Sequence, residues 1–218
     1  SLGEYTALVC AGALDYQDAV SLVAERGRCM QSAVPVGTGA MAALLGLDDA
    51  AVLAVCEQAA EGEVVSAVNF NSPGQVVIAG QTEAVQRAMA LAKESGAKRA
   101  VQLPVSVPSH CALMQPAAEA FAKHLDAASI TTPSIRVMQN VDALLHDDPG
   151  RIRENLNKQL YSPVQWVRSV QAMHGQGVTR IVEAGPGKVL AGLCKRIDKS
   201  ITAAAVFDQE SLVAALQA

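Results

Sequence analysis

The sequence predicts an α/β protein, a mostly parallel sheet with helices on both faces, carrying an inserted ferredoxin-like subdomain. Three observations lead there. Half of the 218 residues are apolar and 17% are charged, enough to build a sizeable core and too apolar for a disordered chain. Strand-like apolar runs alternate with helix-period runs over much of the length, as crossover helices between parallel strands require. From Gly39 to about Ser106 the order changes to β-α-β-β-α-β, the split βαβ arrangement. The expected boundaries are residues 1–36 and 108–218 for the core, and 37–107 for the insertion.

Leu2 to Leu14 reads as a short helix of small residues, punctuated by Gly12. Asp15 is placed to cap a second helix through about Ser32, with Val20, Val23, Ala24, Gly27 and Met30 at helical spacing. Pro35, Gly37 and Gly39 then break the chain. Ala40 to Leu47 is a strand, Asp48 to Ala60 a helix, and Val64 to Phe70 a second strand. Ser72-Pro73-Gly74-Gln75 puts Pro and Gly where a type II turn needs them, before the strand Val76 to Ala79. Gln81 to Ser95 is a helix stopped by Gly96, and Lys98 to Val105 the fourth strand.

After Pro108 the expected order is helix Leu113–Ala127, strand Ile135–Gln139 and helix Pro149–Leu160. Ser162 then caps a helix with Pro163 at its first position, running through Met173. Arg180–Glu183 is a strand, Gly185-Pro186-Gly187 a turn and Val189–Ile197 a helix. Ile201–Val206 is a strand and Glu210–Leu216 the final helix.

Composition excludes several function classes. Lys and Arg total 17 against 21 Asp and Glu, a net charge of −4, which leaves no footprint for nucleic acid or an anionic membrane. One Trp, three Tyr and three Phe make no stacking platform for single strands. Cys10, Cys29, Cys56, Cys111 and Cys194 are odd in number and lack a C-x-x-C pair. They read as reduced thiols of a cytoplasmic protein, not a disulfide framework or a zinc site. The uncharged stretches Cys29–Leu47, Val64–Thr82 and Val101–Ala118 are each interrupted by Pro and polar residues, so none reads as a membrane span. Glu4 stands where a signal peptide needs Lys or Arg. With no initiator Met, the chain reads as less than a complete translation product.

Chemistry is concentrated in a few places. Ser1-Leu2-Gly3 is the second half of the nucleophile elbow G-x-S-x-G, a turn that exposes a serine hydroxyl beside an oxyanion-binding N–H. Taken alone, Ser1 reads first as a helix cap or a frayed end. A serine nucleophile needs a base. His124, His146 and His174 read as surface residues, whereas His110 lies in an uncharged loop between a strand and a helix, where sites on α/β scaffolds gather. The residues alone leave His110 open between a base and a satisfied buried histidine. If the face of Val20, Val23, Ala24 and Gly27 points inward, Arg26 and Arg28 lie on opposite flanks, and periodicity does not choose between them. Asn69 and Asn71 are either substrate contacts or partners of the local backbone before a turn. Gly185-Pro186-Gly187-Lys188 is no phosphate loop, because Val189 and Val182 replace its hydroxyl residue and first glycine.

One ordered set of segments draws these together: Ser1 to Tyr5, Arg26, Asn69 to Gln75, Val107-Pro108-Ser109-His110, Asn155 to Gln159, and Glu183 to Gly187. It closely resembles the malonyl-CoA:acyl-carrier-protein transacylases of bacterial fatty-acid synthesis, and the resemblance runs from Ser1 to Ala218. It implies malonyl transfer from CoA to the phosphopantetheine thiol of acyl carrier protein, with no metal or other cofactor. Ser1 would be the nucleophile and His110 the general base, oriented by the backbone carbonyl of Gln159. The Leu2 N–H would be one oxyanion donor; the family's second donor, and the N-terminal part of its core, precede the nucleophile and are expected to be absent here. Arg26 would bind the malonyl carboxylate and Asn69 would contact substrate. A serine thioesterase or esterase, an N-terminal-nucleophile hydrolase, and a catalytically incomplete carrier-protein-binding fragment are the alternatives.

Overall fold

Asp15 gives the clearest local signal. Its carboxylate accepts from Gln17 N at 2.8 Å and Asp18 N at 3.3 Å, starting helix α2 (Tyr16–Ser32) where the sequence places it. The helix before it, α1 (Gly3–Cys10), is shorter than expected and ends ahead of Gly12, whose φ is +70°. In the computed structural model, residues 1–105 and 107–217 are described. Ser106, at the expected edge of the insertion, and Ala218, at the end of the expected core, lie outside the described residues.

The buried face of α2 differs from the expected one. Ala19, Leu22, Arg26 and Met30 are buried, while Val20 is 48% exposed. Arg26 therefore lies on the inward stripe itself, and Arg28 lies outside, paired with Glu25. A single 3-10 turn (Ala112–Met114) leads into α5 (Gln115–Ala127), and α6 (Pro149–Lys158) follows. These helices share a core that includes Tyr5, Leu8, Leu22, Phe121, Ile152 and Leu156. Each large apolar side chain there contributes roughly 1.5–3 kcal/mol relative to exposure.

The middle of the chain forms an antiparallel sheet of β1 (Gly39–Leu45), β2 (Val65–Ser72), β3 (Gln75–Gln81) and β4 (Arg99–Gln102), in the order β2-β3-β1-β4. Helix α3 (Asp49–Ala60) follows β1 and α4 (Thr82–Glu94) follows β3. Their apolar faces meet the sheet in a second core that includes Leu44, Val52, Ile78 and Ala88. Register runs from Gly39 opposite Gln81 to Leu45 opposite Gln75. Gly74, at φ +72°, closes the β2–β3 turn.

Among the described residues, parallel pairing between strands is confined to β5 (Arg180–Ala184) and β6 (Thr202–Val206), linked by α8 (Val189–Ile197), with one isolated parallel bridge between Asn69 and Val164. The protein is α/β, but most of its strand pairing in this chain is antiparallel. Helices α7 (Trp166–Gly175) and α9 (Gln209–Gln217) complete this part.

Two expected elements do not form as read. Ile135–Gln139 makes no strand, only a bridge between Met138 and Leu145; Ile135 is exposed, and Val137 is buried in the core of Tyr5 and Leu8 rather than in a sheet. Ser162 does not cap a helix, and α7 starts only at Trp166. The cause is tertiary. Val164 N donates to Val68 O at 2.9 Å and Phe70 N to Val164 O at 3.2 Å, so residue 164 is held extended against β2. That pairing fastens the antiparallel sheet to the segment just after Gln159. No helix among the described residues is long and apolar enough to cross a membrane.

Candidate active site

The first turn of α1 is closed by bonds from Glu4 N to Ser1 O and Tyr5 N to Leu2 O, at 3.3 and 3.1 Å. Residues three and four apart share a helix face, so Ser1, Glu4 and Tyr5 line up. Ser1 is exposed, and the other two are buried. Leu2 has helical dihedrals (φ −61°, ψ −36°). Its N–H belongs to the set a helix start leaves unpaired, and among the described residues it makes no hydrogen bond.

His110 is held at two points. Its backbone N–H donates to Leu160 O at 2.9 Å, and its ring Nδ1 lies 2.6 Å from the main-chain carbonyl of Gln159. A carbonyl only accepts, so Nδ1 carries the proton and the Nε2 lone pair is left free. The φ of His110 is +67°, a left-handed conformation costly for a non-glycine residue and typical of functional sites. The imidazole is 6% exposed. Burial pushes its pKa down to about 4, against the opposing pull of the Gln159 carbonyl, so the ring is neutral at pH 7.

Arg26 reaches the same place from α2. Its Nη2 donates to Ser1 Oγ at 3.2 Å and to Gln159 Oε1 at 3.1 Å, and its guanidinium carbon lies 5.9 Å from the Tyr5 ring centroid. Burial lowers the Arg26 pKa, but a guanidinium stays charged in proteins. Its Nε is buried with no partner among the described residues. This is a buried cation with spare donor capacity directly beside a serine hydroxyl.

Gln159 joins the parts. Besides receiving His110 and Arg26, its side-chain Nε2 donates to Ser1 O at 3.2 Å and to Glu4 Oε2 at 2.8 Å. The backbone N–H of Asn140 also donates to Glu4 Oε2, at 3.0 Å. Ser1, Leu2, Arg26, His110 and Gln159, all expected from sequence, therefore lie in one cluster. Among the described residues no hydrogen bond joins Ser1 Oγ to His110. Among the described residues no side-chain hydrogen bond links Asn69 to the cluster; its backbone pairs with Val77 and bridges to Val164.

The other histidines are engaged elsewhere and only partly exposed. His124 stacks on Phe121, His146 bonds Asp142 at 2.7 Å, and His174 Nδ1 faces Val178 O at 3.1 Å. Among the described residues no group of three or more His, Cys, Asp or Glu side chains is arranged to hold a metal ion. Glu4 is the member of the cluster that sequence reasoning missed. Its position three residues after the elbow serine, on the same helix face, is the signal that marks it.

The model of the acyl transferase domain family matches residues 1–216. The chain is 58% identical over 217 residues to the malonyl CoA-acyl carrier protein transacylase of Escherichia coli, spanning 100% of this chain and 70% of that protein. An acyl carrier protein S-malonyltransferase from Vibrio cholerae, solved by crystallography, superposes with a TM-score of 0.96 at 58% identity, covering 98% of this chain and 70% of that one. A malonyl-transacylase solved in complex with a type II PKS acyl-carrier protein gives 0.97 at 51% identity, with 98% and 69% covered. By the matched family model and this identity, the chain belongs to the acyl transferase domain family, among its malonyl-CoA:acyl-carrier-protein transacylases.

Proposed function

We propose that this protein transfers malonyl from malonyl-CoA to the phosphopantetheine thiol of acyl carrier protein, in fatty-acid biosynthesis, through a malonyl ester on Ser1. The observation that carries the reading is the buried guanidinium of Arg26 resting on Ser1 Oγ at 3.2 Å. An acyl group that is to meet this serine and also carries a free carboxylate finds a planar, charged donor waiting for it. An acetyl group leaves that donor unpaired in a buried setting, which costs about 1–3 kcal/mol.

The steps follow from the groups present. His110 Nε2 takes the Ser1 Oγ proton as the oxygen attacks the thioester carbon, and the Leu2 N–H donates to the oxyanion that forms. The C–S bond breaks, and the His110 imidazolium returns the proton to the CoA thiolate. The carrier-protein thiol then reverses the sequence, regenerating Ser1. Thioester to ester to thioester is nearly an even exchange, so no redox step or metal is called for. The Ser1–His110 hydrogen bond forms as substrate enters, since catalytic bonds commonly tighten only in the complex. Asn69 borders the acyl chain from β2 in this reading.

We also read residues 37–107 as a ferredoxin-like unit set into an acyltransferase core of residues 1–36 and 108–218. The β2-β3-β1-β4 order and the separate apolar cores support that division. Five free thiols suit a cytoplasmic setting. The reading is tested by incubating the purified protein with malonyl-CoA and phosphopantetheinylated acyl carrier protein and separating the products. Malonyl-carrier protein is the expected product; free malonate in its place would mark a thioesterase.

A further inference from the structure

The cluster contains a buried acid that the transfer steps do not use. Glu4 is 4% exposed, yet it touches neither Ser1 Oγ nor Arg26 by a hydrogen bond. Its Oε2 accepts from Gln159 Nε2 at 2.8 Å and from Asn140 N at 3.0 Å, and its Oε1 is buried without a partner among the described residues.

We propose that Glu4 is a positioning residue that sets which end of the Gln159 amide faces Arg26, and so aims the guanidinium that selects carboxylated acyl groups. A glutamine amide presents an acceptor at one end and a donor at the other, and the two ends have nearly the same shape. Here one end faces two acceptors, Glu4 Oε2 and the Ser1 carbonyl at 3.2 Å, so it must be Nε2. The other end is then Oε1 and accepts from Arg26 Nη2 at 3.1 Å. Turning the amide over would set Nε2 against a guanidinium donor and Oε1 against two acceptors. Glu4 supplies the closer of the two contacts that forbid this, at 2.8 Å against 3.2 Å for the Ser1 carbonyl. The Asn140 bond fixes Glu4 in turn from the loop after Gln139. The chain of control runs from Asn140 to Glu4, to the Gln159 amide, to Arg26, while His110 hangs independently on the Gln159 backbone carbonyl.

This inference rests on the malonyl-transfer reading, and the experiment separates the two. The quantity measured is the ratio of kcat/KM for malonyl-CoA to that for acetyl-CoA, in the wild type, Glu4→Leu, Glu4→Gln and Gln159→Leu. Glu4→Leu removes the acceptor and should reduce the ratio by roughly tenfold. Glu4→Gln keeps an acceptor in the place of Oε2 and puts an amide nitrogen in the place of the unpartnered Oε1, so it should keep the ratio within about threefold. Gln159→Leu removes the intermediary and should match Glu4→Leu. If Glu4→Leu fails to fold, Gln159→Leu and Glu4→Gln still decide the matter. A wild-type ratio near unity would sink the transfer reading itself. A wild-type preference for malonyl that survives in Glu4→Leu or Gln159→Leu, or that Glu4→Gln loses as fully as Glu4→Leu, would overturn the positioning role alone. Equal losses with both substrates in Glu4→Leu would likewise overturn it, by showing a merely structural residue.

Discussion

His110 and Gln159 meet through the main chain: the imidazole Nδ1 lies 2.6 Å from the Gln159 carbonyl oxygen, and no carboxylate occupies that position. The carbonyl fixes the tautomer and aim of the ring as an aspartate does in a Ser-His-Asp triad, but without a negative charge to stabilise imidazolium. Burial holds the base neutral, and the nearby Arg26 cation adds to the effect.

Removing that base should be severe. His110→Ala is expected to lower malonyl transfer by up to about 10⁶-fold, the scale seen when one member of a nucleophile–base pair is deleted. Circular dichroism should show the fold retained. Steady-state assays with malonyl-CoA and acyl carrier protein check this, and near-wild-type turnover would remove His110 from the mechanism.

Arg26→Ala should lose malonyl transfer and gain relative activity with acetyl-CoA. Loss of hydrogen bonds to a charged group corresponds to about 1.5–3 kcal/mol, or roughly one to two decades in the malonyl-to-acetyl ratio. Arg26→Lys should not restore it, because an ammonium lacks the planar pair of donors. An unchanged ratio in either variant would place carboxylate recognition elsewhere.

The buried imidazole also ties stability to pH. Its pKa is about 4 in the folded protein against an ordinary 6.5. Between those values the unfolded chain binds a proton that the folded protein does not, so stability rises with pH across this window and falls as pH drops from about 6.5 toward 4. For one group the difference is about 3 kcal/mol. Urea unfolding at pH 7 and pH 4.5 should therefore show a smaller acid loss in His110→Gln than in the wild type, by about 2–3 kcal/mol. Equal losses would mean that His110 titrates normally.

The seam between β2 and the segment after Gln159 should be sensitive to proline. Val164→Pro deletes the N–H bonded to Val68 O at 2.9 Å and leaves a buried carbonyl unpaired, at a cost of about 1–3 kcal/mol. For a chain of this size that lowers Tm by about 2–12 °C, which calorimetry would detect. Val164→Ile keeps the N–H and should melt close to the wild type.

The sequence carries the parts of this structure that rest on local chemistry. Asp15 caps α2 as read, Pro73-Gly74 makes the turn between β2 and β3, and the β-α-β-β-α-β order holds through β4. What failed to show was decided by tertiary contacts. Ser162-Pro163 has the form of a helix start, but pairing of Val164 with β2 overrides it. The inward face of α2 departs from the one that apolar spacing marks because it contains an arginine. A search for apolar residues at helical spacing passes over Arg26 and settles on Val20, Val23 and Ala24, which lie partly or fully in solvent. For the site, resemblance supplied Ser1, Arg26, His110 and Gln159, and the structure brings all four together. Glu4 escaped notice because an acidic residue in a first helical turn already has an ordinary explanation in the helix dipole, and only its burial shows the other one.

In the proposed reaction Ser1 carries the malonyl group. Brief incubation with malonyl-CoA, an acid quench and intact-mass measurement followed by peptide mapping test it directly. One malonyl ester is expected, located on Ser1, absent from Ser1→Ala and lost when phosphopantetheinylated acyl carrier protein is added, with malonyl appearing on the carrier. Undiminished malonyl transfer by Ser1→Ala, or a stable adduct on another residue that passes to the carrier, would contradict it.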